Sequence, residues 1–350
     1  MPDSAREAYY LDPLSDSRWQ DLVADHPHAS VFHSTKWLET LRMVYGYKPI
    51  VVTTSAPGSP LTNGIVFCQV KSRLTGNRMV SLPFSDHCEP LFNRADELDA
   101  VLMGLKQRVS EGEWKYIEIR PLSYEPSGRA GLSQTVSYYF HAVDLRPRPE
   151  QLFRSFHKDC VQRKIRRAER ERLQYEEGTS EALLEKFYRL LIMTRRRHRL
   201  PPQPLSWFRG LVAGFGDEIK IRVASKNGIA LASILTLNHK KSVVYKYGCS
   251  DVAHNNLGGT AYLFWRTIQE AKEQGFETLE LGRSDTGNAG LVAFKERWGA
   301  AERRISYWTY PRTHSPAVTG WTMKFAQRLV PVIPDLALEA VGKLFYRHIG

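Results

Sequence analysis

The stretch HNNLGGTAYLFWRTIQEAKEQG, residues 254–275, joins a run of turn-forming residues directly to an amphipathic helix. Apolar residues at helical spacing predict the helix: Tyr262, Leu263, Trp265, Ile268 and Ala271. Gly258 and Gly259 stand where this helix begins. Glycine there either permits a tight turn with positive φ, or lets a phosphate group approach the unpaired N–H groups of the helix N-terminus. The rest of the chain bears on that choice.

The composition is that of a globular protein. The 350 residues are 42% hydrophobic and 25% charged, and the length is typical of about two domains. The N-terminus lacks the pattern of a signal peptide, and no segment reaches the roughly 18 apolar residues of a membrane-spanning helix, so we expect a cytoplasmic protein. The four cysteines are too scattered for a zinc site or a disulfide framework: Cys68, Cys88, Cys160 and Cys249.

Positive charge is concentrated after residue 149. The formal net charge is +12, yet residues 1–149 contain 16 basic and 17 acidic residues. A field of one sign on one part of a protein attracts anionic partners such as phosphates, nucleic acid or an acidic membrane surface. Solubility is the alternative explanation, although solubility does not require the charges to cluster.

Helices are predicted at 150–157 and 159–173, and eight basic residues fall within nineteen positions of these two segments: Arg154, Lys158, Arg163, Lys164, Arg166, Arg167, Arg170 and Arg172. Apolar residues at helical spacing, such as Phe156 and Ile165, predict that one side packs and that the arginines align on the other. Arginine binds phosphate through two parallel hydrogen bonds, so this face is a candidate for an anionic substrate or a tRNA backbone. The alternative is a solvated face held by ion pairs.

The order of predicted elements indicates an α+β protein. The region after residue 150 begins with helices and continues with three successive strands, at 219–225, 229–238 and 242–248. The helix with the glycine turn follows, and then a strand, a helix and a last strand, at 278–282, 290–298 and 304–310. This order predicts a mixed sheet rather than a doubly wound one. We therefore expect domains at 1–149 and 150–311, and a helical tail at 312–350.

A glycine turn that opens a helix after a three-stranded meander resembles the GNAT acyltransferase superfamily. Five segments are similar to its FemAB-like branch: SVFHSTKWLETLRMVYGY (30–47), FHKDCVQRKIRRAERERL (156–173), YKYGCSD (245–251), EAKEQGFETLELGRSD (270–285) and GLVAFKERWGA (290–300). The resemblance implies two GNAT-like mixed-sheet domains in tandem. It also implies transfer of an acyl or aminoacyl group to a cell-envelope precursor of peptidoglycan or exopolysaccharide.

In GNAT proteins the glycine turn holds the pyrophosphate of the acyl donor through backbone N–H groups. The resemblance therefore makes Asn256, Gly258, Gly259 and Thr260 donor-binding residues, together with Tyr247 on the preceding strand. The family's turn usually begins with Arg or Gln, which this chain lacks. This departure weakens the case for coenzyme A and favours aminoacyl-tRNA over acetyl-CoA as the donor, with no tightly bound cofactor.

Lys295 is the candidate for the chemical step. Acyl transfer passes through a tetrahedral species with a negative oxygen, and a fixed ammonium group aimed at that oxygen lowers the barrier. In FemAB-like proteins a Phe-Lys pair lines the acyl channel and stabilises this species, which the resemblance carries over to Phe294 and Lys295. Asp285 is a candidate to accept a hydrogen bond from the attacking nucleophile. The alternative for Lys295 is an exposed lysine on a helix surface. The alternative for Asp285 is the N-cap of the next helix.

The substrate-binding candidates lie in two regions. The basic helix offers Lys158, Arg163, Arg166 and Arg167 to an anionic substrate, either tRNA or a lipid-linked saccharide. In the first half, Trp37 in the family's opening helix and Asp86 in the loop SDHCE, residues 85–89, are expected to face the substrate. That loop contains metal-binding residue types, but consecutive residues rarely point at one ion, so no metal is expected.

The tail has apolar stripes beside basic residues. The apolar members are Trp321, Phe325, Leu329, Leu336, Leu338, Val341, Leu344 and Phe345, and the basic ones are Lys324, Arg328, Lys343 and Arg347. Two amphipathic helices broken by Pro331 and Pro334 either lie on the inner face of an anionic membrane or pack on the second domain.

The sequence thus predicts a FemAB-like transferase that acylates an amine or a hydroxyl. Two alternatives stay open: an acetyl-CoA-dependent N-acetyltransferase acting on a sugar or another small amine, and a non-catalytic nucleic-acid-binding protein on a GNAT scaffold. An acylated product would separate the two enzymes from the binding protein.

Overall fold

The computed structural model describes residues 8–72, 75–126, 131–312, 330 and 333–349. The chain divides into two compact units. The first comprises Met1–Ser137, Ile305–Met323 and Lys343–Gly350, and the second comprises Tyr138–Arg304 and Lys324–Gly342. Each unit combines helices with parallel and antiparallel strands, which confirms the predicted α+β class. Because compactness alone defines these units, the domain boundaries expected at residues 149 and 311 stay predictions.

In the first unit, helices pack beside a mixed sheet. The helices include α1 (Ser17–Asp25), α2 (Thr35–Tyr45) and α3 (Ala95–Ser110). The strands lie in the order β1 (Tyr9–Leu11), β2 (Lys48–Thr53), β3 (Ile65–Ser72), β4 (Gly76–Ser81), β5 (Ile117–Ile119) and the end of β12 (Ala301–Tyr310). The β4–β5 pair is parallel, and the other neighbours are antiparallel.

Helix α3 shows why these segments fold as they do. Asp96 and Glu97 in its first turn favour the positive end of the helix dipole. Its buried residues recur at helical spacing and pack against strand residues such as Ile117 and Ile119. A fully buried leucine of this kind contributes about 1.5–3 kcal/mol through removal of apolar surface from water.

The second unit contains the meander and the helix with the glycine turn. Its helices include α4 (Pro149–Ser155), α5 (Arg163–Arg170), α6 (Glu181–Arg197), α7 (Leu205–Phe215), α8 (Gly259–Glu273) and α9 (Ala289–Glu296). Its strands lie in the order β6 (Ser133–Asp144), β11 (Thr278–Asp285), β10 (Ser242–Ser250), β9 (Ile229–His239), β8 (Ile219–Lys226) and β7 (Gln174–Gly178). Strands β8, β9 and β10 form the predicted antiparallel meander.

Strands β10 and β11 diverge soon after they begin. They are parallel and pair only from Ser242 to Val244 with Thr278 to Glu280 within the described chain. The register then shifts in β10 between Tyr245 and Tyr247 and in β11 between Glu280 and Gly282. Beyond these bulges β10 stays paired with β9, and β11 stays paired with β6, so a wedge opens between the two parallel strands. We call this wedge the splay.

Two elements differ from the prediction. The helix expected at 159–173 is a π-helical turn, Lys158–Gln162, followed by α5, because apolar spacing does not separate one helical hydrogen-bond pattern from another. The sequence does not predict β7, since QYEEG lacks a run of apolar or β-branched residues. This strand pairs with β8 at the edge of the order, where a polar sequence suits solvent.

Helix α10 (Asp335–Ile349) is the described helix of the tail. In the second unit its Leu338 is fully buried, and the backbone N–H of Leu205 donates to Glu339 Oε1 at 2.9 Å. In the first unit the Tyr47 hydroxyl donates to the carbonyl oxygen of Tyr346 at 2.5 Å. The tail helix is therefore packed against protein; the expected earlier helix with Trp321, Phe325 and Leu329 lies outside the described residues. Among the helices described, none is long and apolar enough to cross a membrane.

Candidate active site

The glycine turn ends in a left-handed residue. A 3-10 helix, Val252–Leu257, leads to Gly258 at φ 80°, and α8 begins at Gly259. A Cβ atom on Gly258 would lie 2.2 Å from the carbonyl oxygen of Lys164, so both conformation and the close approach of α5 require glycine. A Cβ atom on Gly259 would lie 3.2 Å from that of Ala232. The structural interpretation of the two glycines therefore holds without any ligand.

The same turn also forms one wall of a pocket of about 300 Å³. We call it the α8 pocket. Its lining residues are Cys160, Val161, Lys164, Leu231, Ala232, Ser250, His254, Asn255, Gly258, Gly259, Thr260, Ala261, Phe294, Arg297 and Trp298. No described side chain caps the first turn of α8, so its N–H groups and partial positive charge lie at a cavity. The phosphate interpretation of the turn is thus compatible with the geometry as well.

Positive charge surrounds the α8 pocket. Lys164 reaches it from α5 and Arg297 from the residue after α9, and neither forms an ion pair with any carboxylate in the described part of the chain. His254 adds an imidazole whose Nδ1 lies 3.0 Å from Asp251 Oδ2. The backbone N–H of Ala253 and then His254 lower the pKa of Asp251, so the ionised Asp251 carboxylate holds the imidazole ring in position. The arrangement suits a ligand with phosphate groups.

Lys295 lies at the splay and is 2% exposed. Its Nζ donates to the carbonyl oxygens of Gly282 and Arg283, at 2.7 and 2.8 Å. These carbonyls belong to β11 just beyond its bulge. His141 pairs with Gly282 across the β6–β11 ladder, and burial, followed by the charge of Lys295, lowers the pKa of its imidazole. The ammonium group is therefore fixed in place, as a donor to a transition state has to be, and is not the exposed helical lysine of the alternative.

Comparison with known proteins agrees with this geometry. Residues 155–296 match a family model described as an acetyltransferase (GNAT) domain. This segment is therefore similar to GNAT-type acetyltransferase domains. No curated protein sequence matches the chain.

Solved structures extend the likeness to most of the chain. FemX is similar with a TM-score of 0.68 at 15% identity, over 87% of this chain and 97% of that one. The C-terminal domain of a putative lysylphosphatidylglycerol synthetase from Agrobacterium fabrum has a TM-score of 0.56 at 15% identity, over 89% and 96%. A tandem GNAT protein from the clavulanic acid pathway has a TM-score of 0.53 at 12% identity, over 89% and 100%. The predicted fold and the FemAB-like GNAT resemblance are confirmed.

Within residues 155–296, the predicted donor-binding residues separate into two groups. Gly258, Gly259 and Thr260 line the α8 pocket; Asn256 is exposed, and its neighbour Asn255 lines the pocket instead. Tyr247 is not a lining residue. Trp207 Nε1 donates to its hydroxyl at 2.9 Å, and that hydroxyl donates to Gln203 Oε1 at 2.5 Å. A contact between Tyr247 and the donor would require this buried network to open.

The predicted catalytic residues also lie in different surroundings. Phe294 lines the α8 pocket, and its ring packs edge-on against that of Phe264, with centroids 5.7 Å apart. Asp285 is exposed at the end of β11, where its backbone carbonyl accepts from the N–H of Asn288 at 2.9 Å. The side chain of Asn288, not that of Asp285, caps α9. The N-cap alternative for Asp285 is therefore wrong, and its contact with a nucleophile stays a prediction.

The basic helix forms a second, more open surface. Lys158, Arg163 and Arg166 line a broad groove of about 920 Å³, together with Asp159, Gln162, Glu169 and Arg170. Arg167 lies outside that lining, and its Nε lies 2.8 Å from Glu171 Oε1. The 3.9 Å pair of Arg163 with Asp159 is almost fully solvated and contributes little. Cations and carboxylates thus alternate here, in contrast to the α8 pocket.

The two candidates in the first unit have structural contacts. Trp37 is fully buried, with its ring edge-on to Phe32 at 5.0 Å, so it belongs to the core of α2. Asp86 is half-buried, and its backbone carbonyl accepts from the Tyr307 hydroxyl at 2.8 Å. In the same loop, Glu89 accepts from three successive backbone N–H groups, those of residues 122–124. Within the described chain no cluster of residues is suited to hold a metal ion.

Sequence reasoning overlooked Arg297 and did not place Lys164 among the donor-binding residues, whereas His254, which begins the glycine turn, is a candidate for a phosphate contact from the sequence. Arg297 follows Phe294 by three positions, a spacing that places both on one side of a helix, and this is the one local signal that points to it. Lys164 is one of eight clustered basic residues, so nothing local distinguishes it from the solvated ones. Only the close approach of α5 to the glycine turn shows which cation faces the pocket.

Proposed function

We propose that the chain transfers an acyl or aminoacyl group from a phosphate-bearing donor to an amine or hydroxyl of a cell-envelope precursor. The observation that supports this most is the α8 pocket. It combines an uncapped helix N-terminus with Lys164 and Arg297, which form no ion pairs in the described chain. An unpaired cation beside a cavity is poorly explained by stability alone, because it gains nothing there unless an anion binds.

The reaction follows from the two parts of the site. The donor's phosphates bind at the α8 pocket, and its acyl group extends toward the splay. The acceptor's amine or hydroxyl attacks the acyl carbon, and the carbonyl oxygen becomes negative. The Lys295 ammonium group, fixed by the carbonyls of Gly282 and Arg283, stabilises that oxygen. The bond from the acyl carbon to the leaving group then breaks, and the proton of the attacking amine or hydroxyl passes to that group, which departs as a ribose hydroxyl from aminoacyl-tRNA or as a thiol from acetyl-CoA.

The likeness to two solved structures supports the class of acceptor. FemX and a putative lysylphosphatidylglycerol synthetase domain share the fold over most of their length. The second name denotes a lipid that carries an aminoacyl group, and we extend this kind of acceptor to the present chain. The positive charge of residues 150 onward suits an acceptor or donor with several phosphates.

One observation favours acetyl-CoA as a second candidate donor. The turn lacks the family's leading Arg or Gln, but Lys164 and Arg297 supply positive charge to the same pocket from other elements. A pocket of about 300 Å³ is also of the size that small-molecule sites usually have. The lack of a leading Arg or Gln in the turn is therefore weaker evidence against coenzyme A than it is from the sequence alone.

Calorimetric titration at low and high salt separates these donors. We expect aminoacyl-tRNA to bind more tightly than acetyl-CoA and to weaken steeply with salt, because several phosphates are neutralised. Arg163→Gln combined with Arg166→Gln should reduce that salt dependence and leave acetyl-CoA binding unchanged, since both residues line the outer groove and not the α8 pocket. Micromolar acetyl-CoA binding with little salt dependence, and none of tRNA, would establish the second candidate. Binding of tRNA without any acylated product, with amine and lipid-linked acceptors supplied, would overturn the proposed function.

A further inference from the structure

The first unit has an exposed basic face formed by the last turns of α10 and the end of β3. We propose that this face docks the protein on an anionic lipid surface, with lipid phosphate groups entering the cavity beside it. The members of the α10 basic face are Lys71, Lys343, Leu344 and Arg347. The proposal does not rest on the transferase activity, because it concerns a surface that contains no residue of the α8 pocket or the splay.

The cavity beside this face suits phosphate oxygens. It has a volume of about 590 Å³ and is lined by Lys71, Ser72, Asn77, Arg347 and His348. No carboxylate is among these lining residues, and Lys71, Lys343 and Arg347 form no ion pair within the part of the chain that is described. The other lining side chains, those of Ser72, Asn77 and His348, are all polar. The cavity is thus polar and positive.

The choice of a lipid surface rests on the residue between the two cations of α10. Leu344 is 63% exposed although it follows Lys343 directly and lies one helical turn from Arg347. A single exposed leucine is ordinary on a protein surface, but one flanked along its helix by two cations that form no ion pair in the described chain fits a bilayer interface. There the leucine enters the acyl boundary while the cations meet anionic headgroups. A polyanion in water gains nothing from the leucine.

The face is held rigidly from behind. Tyr47 donates from its hydroxyl to the carbonyl oxygen of Tyr346, at 2.5 Å, and Arg78, a fully buried residue, donates from Nη2 to that of His348, at 2.9 Å. Thr75 Oγ1 donates to the same His348 oxygen at 3.0 Å, and a hydrogen bond of 2.9 Å joins Ser72 Oγ to His348 Nδ1. Docking therefore requires little further ordering of the backbone at this helix end.

The test is vesicle flotation of the full chain without any acyl donor. We expect binding to vesicles of phosphatidylcholine with phosphatidylglycerol, little binding to phosphatidylcholine alone, and release by salt. The triple variant Lys71→Gln, Lys343→Gln, Arg347→Gln should bind about 100-fold more weakly, since each basic side chain near an anionic surface contributes roughly a factor of five. Leu344→Asp should also weaken binding, whereas Met43→Asp, which changes an equally exposed apolar residue of the same unit, should not.

Three results would overturn the docking surface. One is undiminished flotation of the triple variant, and a second is equal binding of both vesicle types. In the third, the wild type binds inorganic phosphate or a short RNA, and the triple variant loses this binding but still floats with the vesicles. The cavity would then be a site for anions or nucleic acid. Because the variants keep the α8 pocket and the splay, transfer to a water-soluble acceptor should continue at the wild-type rate. A failure of flotation and a failure of the transferase proposal are thus distinguishable.

Discussion

In the second unit, the cation Arg222 and the two cations of the α8 pocket have opposite surroundings. Arg222 on β8 has a side chain that is 4% exposed, and its Nη2 donates to Glu270 Oε2 at 2.8 Å. Its Nη1 donates to the hydroxyl of Thr236 at 2.7 Å. At the α8 pocket, Lys164 and Arg297 face a cavity and have no carboxylate partner in the described chain.

The difference shows that charge alone does not indicate function. A buried cation with a full set of partners is part of the structure, since its desolvation is offset within the protein. A cation beside an uncapped helix N-terminus and an open volume has no such partner until an anion arrives. From the sequence the two kinds look alike, because the partners of both lie far away in the chain.

The largest effect is expected on stability, when Arg222, the cation with carboxylate partners, is replaced. Arg222→Gln should lower the free energy of unfolding by about 3 kcal/mol, because the Glu270 carboxylate, which is 13% exposed, keeps only Lys220 at 4.0 Å as a cationic partner. Donor affinity should stay unchanged, since Arg222 does not line the α8 pocket. Chemical denaturation and calorimetric titration measure the two quantities. A loss of donor affinity in folded protein would erase the distinction between the two groups.

Replacement of Lys295 tests whether a buried cation can have both a structural and a catalytic role. Lys295→Met should lower kcat by about 10²- to 10³-fold with a smaller change in KM, the usual loss for a donor to a negative transition state. The variant should also be less stable, because the carbonyls of Gly282 and Arg283 lose their hydrogen-bond donor. Kinetics are therefore measured well below its unfolding temperature, which circular dichroism determines. A kcat within twofold of wild type would leave Lys295 with a structural role alone.

Much of the fold follows from local patterns in the sequence. The meander and α8 are predicted because their apolar residues alternate or recur at helical spacing, and the glycine turn marks where α8 begins. The bulges of β10 and β11 that open the splay are not predicted, since a register shift depends on both neighbours of a strand. Strand β7 is missed for a similar reason: its pairing with β8, and not its composition, makes it a strand.

The site is less predictable than the fold. Gly258, Gly259 and Phe294 follow from the family resemblance and do line the pocket. Lys164 reaches the pocket because α5 approaches the turn closely enough to exclude a side chain at position 258, and Arg297 reaches it from the end of α9. Such a contact between residues distant in sequence leaves no local signal. The same holds for Tyr247, whose burial beside Trp207 depends on how α7 packs.

We propose that Lys164 and Arg297 bind the phosphates of the acyl donor. The most direct test is calorimetric titration of the double variant Lys164→Gln, Arg297→Gln with aminoacyl-tRNA and with acetyl-CoA, beside the variant Lys241→Gln, Arg209→Gln, which removes the same charge from exposed ion pairs of the same unit. We predict that whichever donor binds the wild type binds the first variant at least about 100-fold more weakly, because two charge-assisted hydrogen bonds of about 1.5–3 kcal/mol are lost. The thermal midpoint should not change, since neither cation has a partner within the described protein to lose. Equal affinities of the two variants, or a first variant that binds the donor as tightly as the wild type, would contradict the account.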